Sequence, residues 1–326
     1  MSLFRIINKF FSFLYFLLLH KNAKLAFLFA HNNVSFQAAK TVSRKGNSIE
    51  SRETGNKVAI ASIGRFKVGI TILLKLLNAP NIKVTDLQAN GFTILANETA
   101  VIHIETMDNL FTVFEIYIEN FYGLALPGSK NVVIDIGMNV GIASLYLASL
   151  DTVQKVYSYE PFTQTYNDAL QNFAKNPAQQ QKIEAFNYGI SSYSGVMKVP
   201  MLTGGSAVAS TNELFIQHHH KAADGFVEVQ LRNINEVIEE IASANPQSDI
   251  YLKIDCEGEE YAIIDALHSS GQFSKNIKGF LIEWHIKGAT PLCNTLSENG
   301  FTSLDLPIVS LSTFQQPEAG MLYAFR

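Results

Sequence analysis

Val132-Val133-Ile134-Asp135-Ile136-Gly137-Met138-Asn139-Val140-Gly141 is the stretch from which the fold is read. A short apolar run carrying one acid near its end reads as a buried strand, and the two glycines that follow mark a tight turn into a helix. Glycines at such a turn let the backbone pass close to a ligand, with no Cβ in the way. A dinucleotide site would ask for G-x-G-x-x-G, so that a pyrophosphate rests on the helix N-terminus. The spacing here is D-x-G-x-x-x-G, with an acid at the strand end. A carboxylate is ill placed beside phosphate but well placed to receive the ammonium group of a bound amino acid.

From Asn131 onward, short apolar strands alternate with helices, which predicts a mostly parallel sheet covered on both faces. Five strand candidates are Val132–Ile136, Lys155–Tyr159, Ile183–Asn187, Ile250–Ile254 and Gly279–Glu283, and Phe301–Leu306 and Met321–Phe325 can close the sheet. The second strand ends in Tyr159-Glu160-Pro161-Phe162, where a carboxylate accepts the hydroxyls of a nucleoside ribose and Phe162 can cover an adenine. A nucleoside joined to an amino acid is S-adenosylmethionine. The candidate cofactor residues are therefore Asp135, Gly137, Asn139, Gly141, Glu160, Pro161, Phe162, Asn187 and Asp255. The fourth strand runs into Asp255-Cys256-Glu257-Gly258-Glu259-Glu260, and the fifth into Glu283-Trp284-His285. In open α/β sheets that edge holds the ligand, so Asp255 faces the reaction site, with Glu257, Glu283 and His285 as candidate acceptor-binding residues. For Glu257 and Glu259 the alternative is a favourable charge at the start of the next helix.

Four segments together resemble the FkbM family of S-adenosylmethionine-dependent methyltransferases, over about Leu110 to Arg326. They are Val133–Gly141, Tyr159-Glu160-Pro161, Leu252-Lys253-Ile254-Asp255-Cys256-Glu257-Gly258-Glu259-Glu260 and Ile282-Glu283-Trp284-His285. The third is the most specific. The resemblance implies an α/β, Rossmann-like, seven-stranded class I methyltransferase sheet with helices on both faces. It also implies methyl transfer to a hydroxyl of a sugar, a glycolipid or polysaccharide precursor, or a natural product. The chain departs from the family pattern twice: Met138 stands where an Ala is usual, and Ile234-Asn235 where Leu-Asp is usual.

Methyl transfer from a sulfonium is an in-line displacement, dominated by positioning of the acceptor. An alcohol must also lose its proton, and Asp255 or His285 is the candidate general base, His285 being favoured by a reference pKa near neutrality. A Mg²⁺ ion held by Asp255 and Glu283 is an alternative way to acidify the hydroxyl. Two competing classes are a silent methyltransferase-fold scaffold and an NAD-dependent enzyme. The intact Asp135, Gly137, Gly141 and Glu160 set speaks against the first, and the missing G-x-G-x-x-G against the second.

The remaining sequence sets the boundaries. With 47% hydrophobic and 17% charged residues the chain is globular, not disordered. A net charge of −4 excludes a general nucleic-acid binder. Cys256 and Cys293 lie far apart without metal-ligand spacing, which fits a reducing cytoplasm. Residues 1–36 form an apolar helical segment. Its greasy run Phe10–Leu19, interrupted by Ser12, is preceded by Arg5 and Lys9 and followed by His20, Lys21, Asn22 and Lys24. Spanning helix, interfacial helix and buried helix all remain open for it, so membrane contact through residues 1–30 is an open addition to the cytoplasmic expectation. Residues 37–57 read as a polar linker, 58–126 as an α+β extension with a hairpin at Asn90-Gly91 and a helix over Met107–Tyr122, and 127–326 as the methyltransferase domain. Within that domain, Val196–Ile241 exceeds a normal crossover and holds Thr203-Gly204-Gly205-Ser206 and His218-His219-His220-Lys221, the histidines being read as a solvated loop.

Overall fold

The computed structural model describes residues 3–67, 69–88, 90–124, 126–202, 223–273, 276–308 and 319–326. The chain divides into two compact units, Met1–Phe121 and Tyr122–Arg326. Thr203–Ser206 and His218–Lys221 lie outside the described residues.

The first unit opens with helices α1 (Leu3–His20), α2 (Ala23–His31) and α3 (Phe36–Lys40). In place of the polar linker expected at 37–57, the chain pairs β1 (Val42–Lys45), β2 (Ser48–Ser51) and β3 (Lys57–Ala59) into a small antiparallel sheet. Polarity misled because most of these residues face water: only Val42, Ile49, Ser51, Asn56 and Val58 in this stretch turn inward with Ala39. The Asn56 amide is buried and spends its hydrogen bonds on Leu77 O, Ile82 O and Val84 N, tying the small sheet to the helix and strand around Asn78-Ala79-Pro80. After α4 (Ile60–Ile63) and α5 (Ile70–Asn78) comes the antiparallel meander β4 (Ile82–Leu87), β5 (Phe92–Ala96) and β6 (Ala100–Ile104). Alternation predicts it: Phe92, Ile94, Ala96, Ala100, Ile102 and Ile104 are all buried. Helix α6 (Met107–Val113) starts on a capping box between Thr106 and Asn109 and ends in a π-turn over Phe114–Ile118.

The second unit is built on a seven-stranded sheet. Its elements are β7 (Asn131–Ile136), α7 (Ile142–Ser149), β8 (Val153–Tyr159), α8 (Thr163–Ala174), α9 (Pro177–Gln180) and β9 (Ile183–Phe186). A side sheet of β10 (Gly189–Ser191), β11 (Gly195–Leu202) and β12 (Ala223–Asn233) interrupts, and α10 (Ile234–Ala244) returns the chain. Then follow β13 (Asp249–Ile254), α11 (Glu260–Ser270), β14 (Ile277–His285), α12 (Thr290–Glu298), β15 (Thr302–Pro307) and β16 (Ala319–Phe325). The order across the sheet is β15-β16-β14-β13-β7-β8-β9, with β16 antiparallel to both neighbours and the five strands from β14 to β9 parallel. This is the doubly wound α/β sheet that the motifs imply. Because β7 sits at the centre, with β8 and β9 to one side and β13 and β14 to the other, the winding reverses between β7 and β13. In sheets wound this way, ligands bind outside the C-terminal ends of the strands at that reversal. Every residue of β7 is buried, as a central parallel strand requires.

Candidate active site

The turn after β7 is shaped by the protein itself. Gly137 (φ +80°) brings the backbone so near β13 that a Cβ would lie 1.7 Å from Asp255 O. Gly141 (φ +81°) sits against the Phe173 ring, 2.5 Å from where a Cβ would be. The glycines therefore answer to packing between strands and helices, a demand that the reading from sequence, in which they make room for a ligand, does not include. Met138, bulkier than the usual Ala, is buried among Leu145, Ala169 and Phe173 of α7 and α8. Gly137 N and Met138 N donate to Tyr159 O at 3.2 and 2.9 Å, which binds the turn to the end of β8.

Glu160 completes that clamp. Its Oε2 accepts from Asn139 N at 3.0 Å and its Oε1 from Phe162 N at 2.9 Å. Burial raises its pKa to about 7, against the pull of those two backbone donors and of Lys253. A carboxylate offers about four acceptor sites, so two remain, one on each oxygen, which suits the paired hydroxyls of a ribose. Asn139 (φ +51°) turns its own Oδ1 onto Val140 N. Asn187 is committed elsewhere: its amide donates to Glu160 O and Pro161 O and accepts from Thr163 Oγ1. It orders the loop after β8, on which Glu160 and Phe162 stand. Phe162 packs on Val199, Val229 and Leu231, so part of the ring is spent on the side sheet.

Asp135 differs most from expectation. It is fully buried, and β7 and β13 align so that it lies opposite Lys253. Lys253 Nζ is 3.0 Å from Asp135 Oδ1, 2.6 Å from Gly137 O, which it bonds, and 3.8 Å from Asp255 Oδ2. Ser144 Oγ donates to Asp135 Oδ2 at 2.5 Å. Burial pulls the Lys253 pKa down, but Asp135 and Asp255 more than reverse it, so the ammonium keeps its charge. Asp135 therefore receives the protein's own ammonium and not a ligand's. One cation lies between two carboxylates, and the more distant one, Asp255, has 30% of its side chain exposed.

Beyond Asp255 the loop into α11 bends through Glu257 (φ +54°) and Gly258 (φ +110°), a left-handed non-glycine step of the kind that is held in place only where surroundings demand it. Glu257 Oε2 stands 3.5 Å from His285 Nε2, Glu283 Oε1 stands 3.9 Å from the same nitrogen, and Glu260 Oε1 holds His285 Nδ1 at 2.6 Å. Burial lowers the His285 pKa, but the bond and charge of Glu260, with Glu257 and Asp255, raise it to about 10. The ring holds its proton at neutral pH. The expectation that His285 is the general base, resting on its reference pKa, is thereby corrected.

Among the described residues, the group whose ligand atoms lie within 4.8 Å of one another is Asp255, Glu257 and His285, not the Asp255–Glu283 pair expected for Mg²⁺. Mg²⁺ prefers oxygen donors in near-ideal octahedral geometry, and the third donor here is an imidazole nitrogen already surrounded by acids. That set does not fit Mg²⁺. Asn235, where the family has Asp, bonds Ala266 O and Ser270 Oγ on α11, so its change of charge falls on helix packing.

Residues 135–301, just over half of the chain, match the family model described as "Methyltransferase FkbM domain". The chain belongs to the FkbM methyltransferase family. A curated relative of this FkbM methyltransferase is Methyltransferase sdnD of Sordaria araneosa, 25% identical over 63% of this chain and 86% of that protein. Among solved structures, Methyltransferase FkbM from Methylobacillus flagellatus KT is similar at 14% identity and TM-score 0.39, over 67% of this chain and 54% of that one. Precorrin-6y C5,15-methyltransferase from Geobacter metallireducens GS-15 is similar at 12% identity and TM-score 0.34, over 68% and 91%. Likenesses of that strength bear on neither substrate nor mechanism.

Reading from sequence missed Lys253, Ser144 and Glu260. Lys253 left a signal: the last charged residues of β7 and β13, Asp135 and Lys253, are of opposite sign and each stands next to the last strand residue. Charges buried in central strands need partners.

Proposed function

We propose that this methyltransferase transfers a methyl group from S-adenosylmethionine to a hydroxyl oxygen of a sugar, glycolipid or polysaccharide precursor, or natural product, held at the C-terminal edge of β13 and β14. The observation that carries the reading is the acid-rich, imidazole-capped cluster of Asp255, Glu257, Glu283 and His285 beside the glycine turn at the sheet's switch point. When bound, S-adenosylmethionine supplies an electrophilic methyl group on a sulfonium. Glu160 offers its two remaining acceptor sites to the ribose hydroxyls. Asp255, the more distant and more exposed of the two carboxylates at Lys253, takes over from Asp135 as the partner of the ammonium group. Asn139, Pro161 and Phe162 line the turn and the loop after β8 on that side.

Asp255 and Glu257 are the groups available to take the hydroxyl proton, since His285 is already protonated. The imidazolium instead balances the charge of Glu257, Glu260 and Glu283, so that several acids share one edge. The acceptor-proton role falls to Asp255, which borders Lys253 at that edge.

The test is calorimetric titration with S-adenosylhomocysteine, then mass spectrometry of reactions with hydroxylated sugars and with matched amino sugars. Binding, followed by a methyl ether whose rate collapses in Asp255→Asn, supports the reading. Methylation of the amine alone overturns the choice of oxygen. A folded chain that binds neither S-adenosylmethionine nor its product overturns the cofactor site and favours the scaffold alternative.

A further inference from the structure

Helix α1 presents apolar residues outward as well as inward. Phe10, Phe11, Leu14 and Leu18 are 58%, 62%, 38% and 79% exposed, and at 3.6 residues per turn they share an arc of about 100°. Phe16 and His20 face inward, each stacked edge-on against Phe29 of α2 at 5.5 and 5.3 Å. The ring of His20 is buried as well, and burial first, then Arg52, lowers its pKa against the backbone of Ala39. A helix made for water would place Phe and Leu inward and His outward. Single exposed apolar residues are ordinary, but a continuous aromatic and leucine stripe marks a contact.

Charge identifies the partner. Seven Lys and Arg residues precede the first carboxylate, Glu50, and no acid accompanies them. The whole chain carries 25 Lys and Arg against 29 Asp and Glu, so the remainder holds eighteen against 29. Net positive charge is therefore gathered on residues 1–49, which include the apolar stripe, with Lys45 alone of the seven paired to Glu50 among the described residues. Lys21 and Lys24, at the turn between α1 and α2, are exposed. No described helix is long and apolar enough to cross a membrane, so a stripe of this kind meets lipid side-on. Aromatics sit at the level of the headgroups, and lysines reach anionic lipid.

We infer that α1 lies in the plane of an anionic bilayer surface, inserting Phe10, Phe11, Leu14 and Leu18 while the basic residues around it hold acidic headgroups. This anchor does not depend on which acceptor is methylated. It also brings the methyltransferase to a surface where a lipid-linked acceptor would be concentrated.

The experiment is co-sedimentation of the full chain with sucrose-loaded vesicles of phosphatidylcholine alone and of equimolar phosphatidylcholine and phosphatidylglycerol. The expected result is binding to the anionic vesicles that weakens as salt is raised. A Phe10→Ser/Phe11→Ser/Leu18→Ser variant is expected to lose at least about tenfold in partitioning to them. Lys21→Glu/Lys24→Glu is expected to lose the preference for anionic over neutral vesicles. All of these positions are exposed, and unchanged circular dichroism and S-adenosylhomocysteine binding verify that each variant is folded. Equal binding by wild type and the serine variant overturns the inference, as does no binding by wild type. If light scattering instead finds a lipid-independent dimer that the serine variant abolishes, with no vesicle binding, the face joins two copies of the chain and the membrane assignment fails.

Discussion

Replacing Lys253 with Met tests the buried ion pair on which the cofactor turn rests. The substitution keeps volume and removes the charge that, among the described residues, pairs with the fully buried Asp135, together with the bond to Gly137 O. Breaking a buried pair from one side typically costs about 3–5 kcal/mol, because the partner is left charged in a low-dielectric core. With an m-value of about 2 kcal/mol per molar urea, a 4 kcal/mol loss moves the midpoint down by about 2 M. The assay is built in: Trp284 is the sole tryptophan, is buried in β14, and donates to Asp305 Oδ1 at 2.7 Å, so its fluorescence follows unfolding of the second unit. An Asp135→Asn/Lys253→Met double variant removes both charges and should recover at least half of the loss, a coupling readable from the four-member cycle. Cofactor affinity should stay low in the double variant, since Gly137 O still lacks its donor. A single variant within about 1 kcal/mol of wild type, or a double variant worse than the single, refutes the pairing as the support of the turn.

Gly137→Ala should cost more than about 3 kcal/mol, because its Cβ would collide with Asp255 O at a positive φ, whereas Gly300→Ala, at φ +82° with nothing within 4 Å, should cost only about 1 kcal/mol; urea midpoints compare them. Affinity for S-adenosylhomocysteine should rise about tenfold between pH 6 and 8, as Glu160 ionises near pH 7 and becomes a ribose acceptor, and Glu160→Gln should flatten that profile in calorimetry. For His285, the folded pKa of about 10 lies above the unfolded value of about 6.5, so its stabilisation is complete below about pH 6.5 and is lost as pH rises through 10. Thermal midpoints of wild type should therefore fall more steeply from pH 7 to 10 than those of His285→Gln. Asn235→Asp, which restores the family residue at a position bonded to α11, should leave turnover within about twofold, and a larger effect would show that α10 reaches the site.

Much of the second unit was legible because its signals are local. Short apolar strands with glycines and acids at their ends declare both a parallel sheet and the edge where ligands gather, and all seven expected strands are present within a few residues. The partners of the charged residues were not legible, because they are set by register. Asp135 and Lys253 are 118 positions apart in sequence and meet only because Asp135 pairs with Lys253, and Ile136 with Ile254, across two parallel strands. Nothing near Asp135 in sequence says that its charge is already used. Glu260 is a similar case: read as part of an acidic run at a helix start, it is fully buried and holds His285, whose partner strand is built 25 residues later. In the first unit, polar Ser48–Ser51 conceals a strand because three-stranded edges bury so few side chains that composition resembles a loop.

The charge arrangement explains why the reaction edge is acidic without being unstable. Asp135, Asp255, Glu257, Glu260 and Glu283 meet two cations, Lys253 and His285, and each cation lies among carboxylates of different burial. Lys253 joins the hidden Asp135 to the accessible Asp255; His285 joins the hidden Glu260 to the accessible Glu257 and Glu283. In both sets the hidden acid lies nearest the cation and the accessible acids share it at longer range, so carboxylates outnumber cations five to two at this edge. A site of this form favours a cationic cofactor, bearing ammonium and sulfonium, over an anionic dinucleotide, by the same electrostatics that the missing second glycine of the turn expresses sterically. Neutralising a hidden acid should therefore cost stability first, whereas neutralising Asp255 should cost cofactor affinity and rate with the fold intact. Comparing Glu260→Gln with Asp255→Asn by urea midpoint and by calorimetry separates the two roles, and equal effects in both assays would refute the division.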